Sequence, residues 1–592
     1  MVVFRRCWLL LAIFLAACSG GSDSEKSTSS GTFNPPSAFS SPDVPDPIVP
    51  LKPAPAPGRT HFRYSANDGV DRTDVTEQPV SKGHTINLQD NTIPFTATAG
   101  HLIAYDWAKS PAKTADLTKI DAQAAISYTA YTRDDLPRDT RPVTFVFNGG
   151  PGGGSAVLDV GFLGPKVFDV DASKAANSFI LNDNPNTLLD KTDLVFVDPV
   201  GTGYSEAILP HKNVDFWGVN SDAKVLSDFI TRYINVNNRQ SSPKYVYGVS
   251  YGGMRAPIIG LLLLQSSTRD YVADPSNKVA KVLTGLVLNS PILDYKTDCY
   301  FPYNVPVSCG GAAPTYAMVG AVHEKSLLTA GQTLSDYVNK ARSFADTFNG
   351  LYADVFGNVS NKTPDTQKQE TFLKSLENKG IINTLYQYTG VGKPFRGDGS
   401  DSAKDNPWIE YPNMNPVQFT EKFDPAKGKL MLADGRVFLS REQTDPALDQ
   451  SSIYSKFTWL YQYEFIGYQA YAYYLDLNGT IIGNWNFQRD ASLAGITPDL
   501  ATALALDSSL KVLIQHGYYD LNTPFYQSEL NIKNAGLAAQ IPVKVYETGH
   551  GILPDTTIAY QQVMKDLGAF YDQSSIKMTA ALNSPVLEGK SP

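Results

Sequence analysis

The sequence predicts an α/β fold built on a central, mostly parallel sheet, and three observations lead there. After Pro142 the chain runs through short apolar stretches, Val143 to Phe147, Leu194 to Val197, Tyr245 to Val249, Leu283 to Asn289, Lys511 to Gln515 and Val543 to Glu547. Such runs suit strands buried on both faces. Helical periodicity separates them. Ser221 can cap a helix carrying Val225, Leu226, Phe229, Ile230 and Tyr233, a second helix follows Ser250 with Ile258, Ile259, Leu262 and Leu263 inward, and Gln561 to Tyr571 gives the last. Strands that alternate with helices imply a doubly wound sheet. The third observation is the stretch YVYGVSYGGMRAP, in which an apolar run stops at Ser250 between Gly248 and Gly252. A strand that turns at once into a helix leaves no room for side chains two positions either side of the turn, and it exposes the serine hydroxyl.

The chain has 592 residues, 42% of them hydrophobic, enough for a large core with insertions. Its net charge of −9 gives no basic surface to track phosphates, which argues against nucleic acid as a partner. Met1 to Ala17 carries Arg5 and Arg6, an apolar run from Trp8 to Phe14, and then Leu15-Ala16-Ala17-Cys18, the layout of a secretory signal too short to span a bilayer. LAAC is also similar to the bacterial lipobox, which makes Cys18 the expected lipidated first residue of the mature chain; an ordinary cleaved signal is the other reading. The expected location is the bacterial cell envelope, held to a membrane through that lipid, with Ser19 pointing to the outer membrane.

Residues 18–60 are rich in Ser, Gly and Pro and read as a tether that cannot bury enough apolar surface to fold. Residues 61–140 alternate in character, with Thr85 to Leu88, Ile93 to Thr98, His101 to Tyr105 and Ala125 to Tyr131 as antiparallel strands leading into the main sheet. The catalytic domain is expected over 141–296 and 487–575, with a tail at 576–592. Between its halves, 297–486 interrupts the rhythm, with helical segments near Ala321 to Phe348 and Tyr454 to Leu475. A structureless loop of that length is implausible, so an inserted, mostly helical cap is expected. It carries Cys299 and Cys309, which in an oxidising compartment read as a short-loop disulfide. Neither cysteine has a further ligand at metal-binding spacing, and no metal or organic cofactor is expected.

A serine hydroxyl needs a base within hydrogen-bond reach and a third group to hold that base. His550, in ETGHGI, follows the last expected strand between two glycines; His516, also after a strand, is the rival. Asp520, in VLIQHGYYDLNTP, lies past the preceding strand and is either the third group, a turn residue, or both. The glycine-rich FVFNGGPGGGS after the first strand lets the Gly150 amide, with that of Tyr251, serve as an oxyanion hole. A phosphate loop is the competing reading, but the Lys-Ser/Thr ending is missing.

Together FVFNGGPG, LVFVDPVGTGYS (Leu194 to Ser205), YGVSYGG, the Asp520 segment and GHGI resemble the serine carboxypeptidase family in its bacterial branch. The resemblance implies an α/β-hydrolase fold, extended at the N-terminus by antiparallel strands and interrupted by the cap. It implies Ser250, Asp520 and His550 as the triad, Gly150 and Tyr251 as the oxyanion hole, and peptide C-termini as substrate, with Asn148 and Gly149 of the first block at the terminal carboxylate. Well-known members carry a glutamate just before the nucleophile and another in an ELGP block; here Val249 and Phe162 stand there, and Val146 replaces a tryptophan. A carboxylate beside such an apolar wall needs another donor. Arg255, five residues past the nucleophile, is one candidate, and pairing to a structural acid is its alternative role. Without the glutamates the pH optimum is expected to move from acid toward neutral. Two further functions remain open: the same machinery acting on esters or in acyl transfer, and a surface binding protein without turnover.

Overall fold

In the computed structural model of the protein, the described residues are 63–582, apart from 89–90, 108–116, 170–179, 301–306, 358–364, 440–453, 455–456, 471, 490–491 and 553–557. The signal, Cys18 and the tether lie outside them.

Among the described residues the centre is a ten-stranded sheet. Its strands are β1 (Val80–Leu88), β2 (Asn91–Tyr105), β3 (Ala122–Arg133), β4 (Val143–Phe147), β5 (Asp193–Val197), β6 (Lys244–Val249), β7 (Gly285–Asn289), β8 (Lys511–Gly517) and β9 (Val543–Tyr546). They lie in the order β1-β2-β3-β5-β4-β6-β7-β8-β9, with the two-residue strand Glu206–Ala207 pairing with β3. Pairing is antiparallel from β1 to β5 and parallel from there on. This is the α/β-hydrolase fold.

The sequence separates Ile93 to Thr98 from His101 to Tyr105, but the two form one strand, because Gly100 continues the ladder opposite Tyr128. Every residue of β4, β5, β6 and β7 is buried, and alternate residues serve opposite faces. Phe145, Phe147, Val246, Leu286 and Leu288 pack with helices α1 (Val219–Val236) and α2 (Tyr251–Ser266). Val146, Tyr245, Tyr247 and Val287 pack with Leu567 and Tyr571. Those last two belong to the C-terminal helix, Ile558–Leu582, which runs past the expected start of the tail at 576.

Between β7 and β8 the chain forms a second core from α3 (Ala313–Val322), α4 (Leu334–Phe356), α5 (Thr366–Asn378) and α6 (Ile381–Thr389). Tyr519, Leu521, Phe525 and Tyr526 join that core. The helical layer is thereby seated on the loop that carries Asp520. Arg342 on α4 forms a two-pronged ion pair with Glu529 (2.8 and 2.7 Å), tying the layer to α7 (Phe525–Asn534). Cys299 and Cys309 are joined by a disulfide, their Cα atoms 5.3 Å apart. The expected helix over Tyr454 to Leu475 stops at Ile466: Gly467 adopts φ 86°, and Leu475 and Leu477 then form isolated bridges to Gly203 and Gly153. The segment thus lies outside the helical layer, packing with Ala156 and Val160 just after the glycine loop.

Candidate active site

Two neighbouring parallel strands end at one level and the third runs two residues beyond it, since Val249 of β6 lies opposite Asn289 of β7 and Asn289 opposite Gln515 of β8. The loops that leave these ends carry the chemistry. Ser250 sits at φ 58°, ψ −122°, a conformation costly for a residue with a side chain. Its amide donates to the Asn289 carbonyl at 2.9 Å, and α2 begins at the next residue. The flanking glycines are steric necessities. A methyl group on Gly248 would stand 1.9 Å from the Gly252 carbonyl oxygen, and one on Gly252 would stand 2.6 Å from that of Phe147.

Asp520 is fully buried, and its two oxygens do different work. Oδ1 accepts the amides of Asn522 (3.0 Å) and Thr523 (2.8 Å), so Asp520 closes its own turn. Oδ2 lies 2.8 Å from Nδ1 of His550. An ionised carboxylate only accepts, so Nδ1 carries the proton and Nε2 remains as the base. The sequence left Asp520 as triad member or turn residue, and the geometry gives it both contacts. His550 is held from behind as well, its amide donating to the Ala433 carbonyl. Next to it, Gly551 donates its amide to Ser290 Oγ (3.1 Å), and a methyl group on Gly551 would lie 3.6 Å from Val249, immediately before the serine. His516 is elsewhere engaged: it is fully buried, its Nε2 meets Ser528 Oγ at 2.9 Å, and burial lowers its pKa to about 4.

The glycine loop lies against the elbow. A methyl group on Gly149 would come within 2.6 Å of Ser250 Cβ, so the loop touches that serine. Asn148 holds the loop closed, accepting the Gly149 amide at Oδ1 (2.8 Å) and donating from Nδ2 to the Gly154 carbonyl (2.8 Å). The Gly149 amide is therefore spent inside the loop. The second N–H of Asn148 takes no part in these two bonds. Gly150 is exposed at φ 109°. Tyr251 opens α2, where the first amides have no acceptor within the helix.

Arg255 does not face the cleft, which corrects its placement as a carboxylate-binding donor. Its side chain is completely buried, Nε and Nη2 engage Asp222 on α1 (2.6 and 3.3 Å), and Nη1 donates to the Asn148 carbonyl (2.6 Å). Phe162 and Val249 are buried in one apolar cluster with Tyr247. They fill the space behind the elbow. They offer no donor to a carboxylate.

Several supporting residues carried no signal in the sequence. Thr523 Oγ1 lies 2.6 Å from Asp520 Oδ2, 3.1 Å from the Ser290 carbonyl and 3.2 Å from His550 Nδ1. Asn289 Nδ2 contacts Tyr247 Oη (2.8 Å) and the Gly551 carbonyl (3.2 Å). Asp198 Oδ1 accepts the Ser155 amide (2.9 Å) and the Tyr474 hydroxyl (2.6 Å), fixing the far end of the glycine loop. The DPVGTGYS segment could have drawn attention to Asp198. Nothing marked the other two. Among the described residues no cluster of histidine, cysteine and acid side chains could hold a metal ion.

This arrangement sets a histidine, held by a buried carboxylate, on a loop beside the end of the strand that leads to a serine. No curated protein matches the chain. Among solved structures it is similar to Kex1(delta)p, a prohormone-processing carboxypeptidase from Saccharomyces cerevisiae, at 13% identity and a TM-score of 0.45 over 76% of this chain and 78% of that one. It is also similar to proline iminopeptidase of Mycobacterium smegmatis (12% identity, TM-score 0.30, covering 84% of this chain and 100% of that one). A third similar structure is juvenile hormone epoxide hydrolase of the silkworm Bombyx mori (11%, 0.31, covering 82% and 80%). Residues 110–393 match the family model described as serine carboxypeptidase, a span that takes in the glycine loop, the elbow and most of the helical layer and stops short of Asp520 and His550. The chain is a serine hydrolase, and just under half of it, residues 110–393, is similar to the serine carboxypeptidase family.

Proposed function

We propose that the protein is a serine-type carboxypeptidase that removes residues from the C-terminal end of peptides through an acyl-enzyme on Ser250. The observation that carries the reading is the 2.8 Å contact between His550 Nδ1 and a fully buried Asp520, on a loop that packs against the serine elbow. In this mechanism His550 Nε2 takes the Ser250 proton as Oγ attacks the scissile carbonyl. The amides of Gly150 and Tyr251 stabilise the oxyanion, each donor being worth ~10²–10³ in rate. His550 then protonates the leaving amine, activates water against the acyl-enzyme, and is oriented throughout by Asp520.

A second reading, ester hydrolysis or acyl transfer with the same triad, is favoured by one observation: apolar Phe162 and Val249 are buried together behind the elbow. The N-terminal sequence supports a lipid-anchored, extracytoplasmic location, which labelled-lipid incorporation at Cys18 would test. For the activity itself, mass spectrometry of peptides incubated with the soluble part, from acid to mildly alkaline pH, decides the matter beside a Ser250→Ala control. Stepwise loss of single C-terminal residues, absent in the control, supports the carboxypeptidase. Intact peptides with ester turnover and fluorophosphonate labelling of Ser250 would replace it by the second reading.

A further inference from the structure

The backbone of the glycine loop is bonded from a distant part of the chain, residues 473–478. The Gly152 carbonyl accepts the Asn478 amide at 2.8 Å, and the Gly154 amide donates to the Asp476 carbonyl at 2.6 Å. Between these two bonds Gly153 forms an antiparallel bridge with Leu477. The approach leaves no room for a side chain, since a methyl group on Gly152 would stand 2.7 Å from the Asn478 carbonyl oxygen. Gly150 in turn rests on the residues so held. A methyl group on it would lie 2.7 Å from the Gly152 amide nitrogen and 3.0 Å from that of Gly153. The position of the Gly150 amide therefore depends on 473–478.

The same segment is anchored a second time. Leu475 exchanges both backbone bonds with Gly203 of the DPVGTGYS segment, at 2.8 and 3.2 Å. Asn478 is buried, and its side chain closes the joint. Nδ2 donates to the Gly201 carbonyl at 2.9 Å and to the Tyr64 carbonyl at 3.1 Å, while Oδ1 accepts the Thr480 amide at 3.1 Å. Tyr64, which lies ahead of β1, answers with its hydroxyl, 2.6 Å from the Gly203 carbonyl and 2.7 Å from that of Tyr473. A phenol has one proton, so the two carbonyls share it. Three distant parts of the sequence thus meet at one joint beside the glycine loop.

A run of glycines is conformationally free, yet an oxyanion donor works only when it is held in place beforehand. We propose that 473–478 is the clamp that supplies this order, with Asn478 and Tyr64 as positioning residues for the Gly150 amide. The role rests on the acyl-enzyme reading above. Both residues act through the backbone of the glycine loop, not on substrate.

The test separates positioning from stability. Phenylboronic acid is titrated into the parent protein and its Asn478→Leu and Tyr64→Phe variants. Its boron bonds to Ser250 Oγ as the hydroxyl proton passes to His550, and the tetrahedral boronate sets a hydroxyl oxygen where the oxyanion forms. Asn478→Leu keeps the bulk without the two donors. Tyr64→Phe removes one hydroxyl and keeps the ring, which guards against a folding defect in the first variant. The dissociation constant is expected to rise about ten- to hundredfold in Asn478→Leu and about threefold or more in Tyr64→Phe. On a peptide, kcat should fall in parallel while KM stays within about twofold. Asn484→Ala removes an exposed bond to the Thr480 carbonyl, on the short helix that follows the clamp, and should change neither. Affinity and kcat unchanged in both clamp variants overturn the proposal. An equal loss in Asn484→Ala, or a loss confined to KM, overturns it as well. Boronate binding that weakens in the variants while no peptide is cleaved leaves the clamp standing and removes the carboxypeptidase reading. A parent protein that binds no boronic acid removes both.

Discussion

Arg255 and Asp222 form an ion pair with both side chains at 3% exposure or less, and the same guanidinium donates to the carbonyl of Asn148, the first residue of the glycine loop. One buried charge therefore links α1, α2 and the loop proposed to hold the oxyanion. Its carbon also lies 5.2 Å from the centre of the Tyr251 ring and 5.9 Å from that of Phe147. The pair braces both walls of the proposed oxyanion site from behind.

Removing one partner leaves the other charged and buried, so Arg255→Met or Asp222→Asn should destabilise the fold by about 3–5 kcal/mol. Replacing both with apolar residues of similar size should cost less. Urea titration of the two single variants and the double variant checks this. A double variant no more stable than the singles would show that the pair is not electrostatically coupled.

In the proposed mechanism Asp520 orients the base without touching substrate. Asp520→Asn keeps the turn acceptor at Oδ1 and presents an amide where His550 Nδ1–H needs an acceptor. In the Ser-His-Asp enzymes where this change sets the reference, the loss in kcat is about 10⁴, and a loss of that order is expected here. Steady-state kinetics on a peptide or ester substrate measures it, with KM expected to change far less than kcat.

Thr523 supports the same carboxylate through a short hydroxyl contact and ties it to the Ser290 carbonyl. Thr523→Val keeps the shape and removes the one hydroxyl donor that these two acceptors share. We expect a stability loss of about 1–3 kcal/mol, together with a drop in kcat smaller than that of Asp520→Asn. An unchanged melting curve would mean that water replaces the hydroxyl.

The fold was legible wherever burial imposes a pattern. Strands β4, β6, β7 and β8 are covered on both faces, so they had to be apolar runs, and the elbow could turn only with glycines at 248 and 252. Ser250, Asp520 and His550 stood out because each follows such a run at a glycine or turn signal. What stayed hidden depends on partners far away in the chain. Arg255 looks the same in sequence whether it faces a cleft or Asp222, and the difference is made by how α1 packs on α2. Ala433, which accepts the His550 amide, contributes only a backbone carbonyl, and a carbonyl has no letter in the sequence.

Two buried histidines weaken the fold at acid pH, while carboxyls that burial raises, such as Glu206 to about 7 and Asp228 to about 6, act in the opposite sense over the same window. His516 and His101 are each lowered from 6.5 to about 4 by burial, so the unfolded chain binds more protons between those values. The histidines' contribution is complete above pH 6.5 and is lost as the pH drops toward 4, by about 3 kcal/mol at most for each. Urea midpoints measured across that window for the parent and the His516→Asn variant isolate it as a difference. The variant, whatever its absolute stability, should lose less stability, or gain more, on the acid side than the parent. Identical slopes would mean that His516 does not contribute.

The closest contact between the glycine loop and the elbow gives the sharpest separation of fold from function. A methyl group on Gly149 would lie 2.6 Å from Ser250 Cβ, 2.7 Å from the Val249 carbonyl oxygen and 2.9 Å from the Tyr251 amide nitrogen. These are backbone and nucleophile atoms, so Gly149→Ala must push the loop and the elbow apart. The loop is exposed at Gly150, while β4 and β6 behind it are locked in the sheet, so the loop is the part that gives way. Displacing it moves the Gly150 amide away from the oxyanion and leaves the His550 and Asp520 pair intact. We therefore expect kcat to fall by about 10²–10³, the loss of one oxyanion donor, while a fluorophosphonate still labels Ser250 at a reduced rate and the melting temperature shifts by only a few degrees. Kinetics, labelling rate and thermal melts on the same preparation distinguish this from simple unfolding. Full activity in Gly149→Ala would place the oxyanion donors elsewhere than in this loop.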